Sequence, residues 1–161
     1  MITERLDEIV AQHAGSVAVA DGEERITYRQ LASRKSGFAR YLRGSLNLAE
    51  GDVIAVSLPN CWEFIVSFLA TAEIGAVSMP LNTQWRTKEI EWYAGRLPIS
   101  AVITNAELRE PWDHLRNRIP SGRLVVVDQP AVRQELRTDR GREELTATPA
   151  RRRFEDEVVL Y

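Results

Sequence analysis

Short unbroken apolar runs alternate along this chain with longer stretches whose apolar residues recur at helical spacing, and the alternation predicts its elements. The clearest unit runs from Gly51 to Asn82. Val53, Ile54, Ala55, Val56 and Leu58 are interrupted only by Ser57, as a strand covered on both faces requires. Pro59 and Asn60 stop the run. Asn60 followed three residues on by Glu63 matches a capping box, in which the Asn oxygen accepts from a first-turn N–H and the acid reaches back. From Cys61 to Ile74, the residues Trp62, Ile65, Phe68, Leu69 and Ala72 recur at helical spacing while Phe64, Val66 and Ala70 fill other faces. This predicts a helix buried on most sides. Gly75 is placed to end it in the left-handed conformation, and Ala76 to Met79 begins a second strand that Pro80 terminates. The unit is a crossover between parallel strands, expected to be right-handed.

The same rhythm extends to both sides. Ile2 to Ala14 reads as a short amphipathic helix with Thr3 as N-cap and Leu6, Ile9 and Val10 on one stripe. Val17 to Ala20 and Arg25 to Thr27 flank Asp21-Gly22 as a hairpin, expected at the edge of the sheet. Thr27 to Gln30 is a second capping box. It opens a helix whose apolar face holds Tyr28, Leu31, Ala32, Phe38, Ala39 and Leu42, with Arg29, Arg34, Lys35 and Arg43 facing water and Gly44 closing it. After Asn82, a helix from Thr87 to Gly95 with Ile90 inward, a strand from Ser100 to Thr104, a helix from Glu107 to Ile119 entered through Pro111, and a strand from Arg123 to Val127 complete the pattern. Strands separated by helices predict an α/β fold: a doubly wound, mostly parallel sheet flanked by helices, with a small N-terminal hairpin.

This places an α/β subdomain over residues 1–128. From Gln129 to Glu155 apolar periodicity fades and charge rises, with Pro130, Pro149 and the run Arg151-Arg152-Arg153, and the stretch reads as a charged linker with a turn or two of helix near Ala131 to Leu136. Asp156 to Tyr161 reads as the start of the next buried strand, which carries the expectation that the chain is cut there.

Composition narrows the function classes. With 44% hydrophobic and 27% charged residues, the 161-residue chain is globular in character. A net charge of -2 and a pI near 5.8 give no pull toward nucleic acid, and Trp62, Trp92 and Tyr93 fall in helices where packing accounts for them. Cys61 is the only cysteine, which excludes an internal disulfide and a thiolate metal site; it is read as a packing residue. The charged start is no signal peptide and no run is long enough to span a membrane, so a cytoplasmic protein is expected. In an open parallel sheet the loops at the carboxyl ends of the strands decide function. Here they are Ser57 to Asn60, Pro80 to Asn82, Thr104-Asn105 and Asp128 to Pro130, and none contains a phosphate-cradling glycine pattern, a nucleophile elbow or a metal-binding histidine spacing.

ITYRQL at Ile26 to Leu31, GDVIAVSLPN at Gly51 to Asn60, and GAVSMPLN at Gly75 to Asn82 followed by Glu89-Ile90 resemble, in order and spacing, the N-terminal region of adenylate-forming enzymes, the AMP-binding superfamily of acyl- and aryl-CoA synthetases, luciferases and peptide-synthetase adenylation domains. DEVVLY at Asp156 to Tyr161 resembles the strand that leads in that family into a Ser/Thr- and Gly-rich phosphate loop. The resemblance implies an N-terminal fragment of an ATP-dependent acyl- or aryl-CoA ligase, inactive alone, truncated just before that loop. It implies ATP, Mg2+ and CoA for the full-length enzyme, none of them held tightly by this fragment. It also implies a carboxylic acid substrate and the remaining C-terminal part of the enzyme as partners. The phosphate loop, adenine pocket, ribose-binding Asp and catalytic Lys of the family lie downstream, so no catalytic or metal residue is carried over. Some CoA ligases place a basic residue shortly after the PLN motif, near the anionic part of CoA; here Gln84 holds that place, with Arg86 two positions later, and these two are the CoA-facing candidates. The alternative is a non-enzymatic binding or assembly module derived from the family, self-associating through an unpaired terminal strand.

Overall fold

A computed structural model of the chain describes residues 2–137. In chain order these form α1 (Ile2–His13), the hairpin β1 (Val17–Asp21) and β2 (Glu24–Thr27), α2 (Tyr28–Gly44), β3 (Val53–Ser57), α3 (Trp62–Glu73), β4 (Val77–Pro80), α4 (Thr87–Ala94), β5 (Ile99–Thr104), α5 (Glu110–His114), β6 (Leu124–Val126) and α6 (Pro130–Arg137). β3 to β6 make one parallel sheet in the order β4-β3-β5-β6. The apolar run of β3 is explained by its place between two cores. Ile54 and Val56, with Ala101 and Ile103 of β5, pack under α1, α2, α3 and α6. Ala55 and Val102, one residue out of phase, pack on the opposite face with Ile90 of α4 and Trp112 of α5. This is the doubly wound arrangement expected, and the helix foreseen near Ala131 to Leu136 is α6, with Val132 and Leu136 buried.

Local signals hold where the partner is local. Thr27 Oγ1 accepts from Gln30 N at 3.3 Å and Thr27 N donates to Gln30 Oε1 at 2.9 Å, a complete capping box. At the end of α3, Gly75 N donates to Ala72 O and Ala76 N to Thr71 O, both at 3.1 Å, around a Gly75 φ of 75°. This Schellman closure needs the glycine twice over, because a Cβ there would also stand 3.1 Å from Glu50 Cγ.

Several expectations are corrected. The hairpin is a separate two-stranded sheet rather than an edge of the main one. It packs on α2 and α3, where Ile26 is fully buried. Thr3 does not cap α1; it lies inside the helix and is buried. Asn60 does not cap α3. The helix starts at Trp62, whose N–H donates to Asp21 Oδ2 of β1 at 3.0 Å, and Glu63 turns inward toward Arg133 at 3.5 Å instead of reaching back. Arg34 and Lys35 do not face water. Arg34 Nη2 donates to Glu24 Oε1 at 3.0 Å with its guanidinium 4.6 Å above the Trp62 ring, and Lys35 is buried against Glu73. α2 does end at Gly44, but the left-handed residue of the turn that follows is Asn47, with φ 52°. The helix expected from Glu107 to Ile119 is only the short α5, followed by a 3-10 turn at Arg116–Arg118. Trp92 is not packed inward; it is 51% exposed, with the Arg96 guanidinium 3.9 Å from its ring. The segment from Asp156 to Tyr161 and the Arg151 to Arg153 run lie outside the described residues.

The Asp21 cap makes a clear prediction. Asp21→Ala removes an acceptor at the start of α3 and is expected to cost about 0.5–2 kcal/mol, read as a lower urea midpoint. Asn60→Ala, at a position that caps nothing, is expected to leave the midpoint unchanged.

Candidate functional site at the switch point of the sheet

The crossover from β3 runs to β4 on one side, and the chain then passes back over β3 to lay β5 on the other. Loops leaving the carboxyl ends of β3 and β5 therefore diverge, which opens the crevice where open α/β sheets take ligands. A cavity of about 90 Å3 lies there, walled by Ser57 at the end of β3, Trp85 and Arg86 before α4, Thr87 in its first turn, and Glu107 and Glu110 after β5.

Local hydrogen bonds fix these walls. Leu81 N donates to Val56 O at 2.9 Å, tying the loop after β4 to β3. Asn82 Oδ1 then accepts from Gln84 N at 2.9 Å, and its carbonyl from Trp85 N at 3.1 Å, a compact turn that brings Trp85 over α4. There the Trp85 ring stacks on Tyr93 with centroids 4.5 Å apart. Arg86 N donates to Glu89 Oε2 at 3.0 Å, so the first turn of α4 is capped by its own acid and the Arg86 side chain is left to the cavity. On the other wall, Asn105 Oδ1 accepts from Leu108 N at 2.9 Å and the Asp128 carboxylate from Ala106 N at 3.0 Å.

Of the two residues singled out in the sequence, Arg86 lines the cavity and Gln84 does not; both are exposed. Ser57 belongs to the strand-end segment singled out in the sequence, whereas Trp85, Glu107 and Glu110 were not foreseen, because they come from separate segments after β4 and β5 and become neighbours only at the switch point. At about 90 Å3 the cavity is well below the ~300–1,000 Å3 of a pocket that encloses a whole small molecule. It has room for one end of a ligand, with an arginine and two carboxylates at its rim.

A second, more open hollow of about 320 Å3 lies between β1 and α3, lined by Val19, Asp21, Cys61, Trp62, Phe64 and Ile65. It holds no poised nucleophile: burial, aided by the neighbouring Glu63 charge, pushes the Cys61 thiol up to about 11, so almost no thiolate exists at neutral pH. Among the described residues no group of three or more His, Cys, Asp or Glu side chains could hold a metal ion, and no helix is long and apolar enough to cross a membrane.

The parallel sheet with its separate hairpin is the fold of the N-terminal domains of adenylate-forming enzymes, and the chain belongs to that family: the family model described as AMP-binding enzyme matches residues 6–160. It is 34% identical over 128 residues to a salicylyl-CoA synthase / salicylate adenylyltransferase from Streptomyces sp, a match covering 79% of this chain and 22% of the relative. Among solved structures it resembles the Klebsiella oxytoca NpsA N-terminal subdomain in complex with 3-hydroxybenzoyl-AMSN, at 28% identity and a TM-score of 0.60 over 63% of this chain and 26% of that one. It shares its fold with the N-terminal domain of FACL13 from Mycobacterium tuberculosis, with a TM-score of 0.76, 24% identity, and coverage of 85% and 36%. The chain thus spans about a fifth of the length of its Streptomyces relative.

Proposed function

We propose that this chain is the N-terminal part of an ATP-dependent acyl- or aryl-CoA ligase. In that reaction a carboxylate oxygen attacks the α-phosphate of ATP, the bond to the β-phosphate breaks, and an acyl-adenylate and pyrophosphate result. The thiol of CoA then attacks the acyl carbon, its proton is lost, and AMP leaves. The observation that carries this reading is the family match over residues 6–160, joined to a relative whose name holds both the adenylating and the thioester-forming activity.

The described residues fit only part of this chemistry. None of their strand-end loops has glycines that let backbone approach a polyphosphate, and they hold no acid cluster for Mg2+. ATP and Mg2+ are therefore assigned to none of the described residues, and the 161 residues alone are taken to be inactive. CoA fits better. Arg86 offers a guanidinium fork to an anionic group at the mouth of the cavity, and Gln84 offers a neutral amide just outside it. Glu107 and Glu110 line the same cavity and repel an anion, so the charged part of such a ligand is favoured only on the Arg86 side.

Carboxylate-dependent ATP–pyrophosphate exchange tests the proposal. With the isolated chain, exchange is expected to stay at the level of the no-protein control. The polypeptide encoded by the complete reading frame is expected to show exchange, with a thioester forming when CoA is added. Exchange by the isolated chain, or none by the longer product, would overturn the reading.

A further inference from the structure

Ser57 is a buried donor that the protein itself leaves unmet. Side chains of β3 alternate between the two faces of the sheet, so Ser57 points the same way as Ala55, toward α4 and α5. It is 3% exposed and lines the 90 Å3 cavity, and its hydroxyl has no hydrogen-bond partner among the described residues. A buried polar group in that condition costs stability, and the cavity gives it a place to meet a ligand. The first turn of α4 borders the same space through Arg86 and Thr87. Glu89 occupies the Arg86 amide, but the Thr87 and Lys88 amides have no acceptor among the described residues. The Arg86 guanidinium is in no ion pair among those residues either.

We infer that this cavity binds a phosphoryl group, held by the Ser57 hydroxyl, the amides that open α4 and the Arg86 guanidinium. A helix N-terminus presents N–H donors and partial positive charge to an anion, and α4, with eight residues, supplies both. The donors come from three separate places, the end of β3, the start of α4 and one arginine. The three terminal oxygens of a phosphate monoester can meet all of them, whereas the two coplanar oxygens of a carboxylate face fewer directions. At about 90 Å3 the space exceeds the ~10–15 Å3 that one water needs and stays far below a whole-ligand pocket, so it takes the charged group and not the molecule behind it. Glu107 and Glu110 oppose an anion, but both are exposed, and Glu110 has His114 Nε2 at 3.1 Å. Water and salt screen charges so placed. Two sources carry this chemistry, a phosphate of CoA and free inorganic phosphate. The choice between them rests on the ligase reading, whereas the site itself does not.

Backbone amide shifts of the 161-residue chain, followed by NMR during titration with inorganic phosphate, test the site. The Thr87 and Lys88 amides are expected to move, saturating in the millimolar range. Ser57→Ala is expected to weaken binding about 3- to 10-fold, and Arg86→Gln at least about 10-fold. Glu107→Gln lifts a repulsion and is expected to tighten binding about 2-fold. Arg96→Gln, at the far end of α4 over the Trp92 ring, is expected to change nothing. Should Ser57→Ala fail to fold, Arg86→Gln and Glu107→Gln, both at exposed positions, still decide the matter. Acetate is expected to leave the two amides in place. No shift with phosphate, an equal shift with acetate, or weaker binding by Glu107→Gln would each overturn the inference. CoA and pantetheine, which lacks the phosphates, then separate the sources. If CoA moves the same amides at lower concentration than inorganic phosphate and pantetheine does not move them, the group is a phosphate of CoA. If CoA binds no better than inorganic phosphate, the phosphoryl site stands as a site for the free ion, and the ligase reading loses its support from Arg86.

Discussion

Lys35→Ala is expected to destabilise the chain by about 3–5 kcal/mol, measured as a fall in the urea midpoint at unchanged slope. The Lys35 side chain is 5% exposed and its Nζ meets Glu73 Oε2 at 2.5 Å, with Glu73 itself 13% exposed; Asp7 of α1 stands 4.0 Å away on the solvent side. The pair ties α2 to α3, two of the four helices that cover one face of the sheet. Removing the ammonium leaves the Glu73 carboxylate facing packed helix, where it must stay charged without its partner or take up a proton. The cost lies in the stranded charge more than in the lost attraction, because desolvation of two buried ions consumes most of what their attraction returns. The double variant Lys35→Met/Glu73→Leu is therefore expected to recover most of the loss. If Lys35→Ala cost under about 1 kcal/mol, the range of solvent-exposed pairs, the pair would be behaving as a solvated one.

The same pair shows where sequence reasoning reaches its limit. Spacing along α2 assigns Lys35 to the polar side correctly as a helical face, but that face is covered by α1 and α3, and the acid that makes burial tolerable lies 38 positions away at Glu73. Thr27 and Gln30 form a legible box because both partners belong to one turn. Asn60 and Glu63 present the same local pattern and fail, because Asp21, distant in sequence, reaches the Trp62 N–H first and Arg133 draws Glu63 away. The strands were legible for a different reason: a strand covered on both faces needs a continuous apolar run, and β3 and β5 carry one. The short α5 was overread, since Glu107 to Leu108 are consumed in the turn held by Asn105 and the helical pattern breaks into a 3-10 turn after His114.

The candidate site was legible only where it is contiguous. Arg86 was found because it follows the PLN motif closely, and the turn made by Asn82 carries it to the cavity. The acids opposite belong to the loop after β5 and the start of α5, and nothing in their local sequence distinguishes Glu107 or Glu110 from solvated helix-start residues. The available signal was topological: in a sheet of order β4-β3-β5-β6, the loops after β3 and β5 must part at the switch point.

Trp112→Ala is expected to cost about 3–5 kcal/mol and to loosen the wall that α5 gives the cavity. Trp112 is fully buried at the centre of the core on the α4–α5 face, with Ile90, Ile99, Val102 and Leu115. It therefore holds a five-residue helix that has too few turns to be stable by itself. Its neighbour Pro111 lines the cavity, so a displaced Trp112 moves the wall with it. The ring also carries a cost: its Nε1–H is buried without a hydrogen-bond partner, and an unsatisfied buried donor is worth about 1–3 kcal/mol of destabilisation. Trp112→Phe removes that donor while keeping most of the aromatic bulk, so its loss is expected to be less than half that of Trp112→Ala in the same urea titration. Equal losses would mean that the Nε1–H is satisfied by a buried water, and that volume and hydrogen bonding both hold the wall in place.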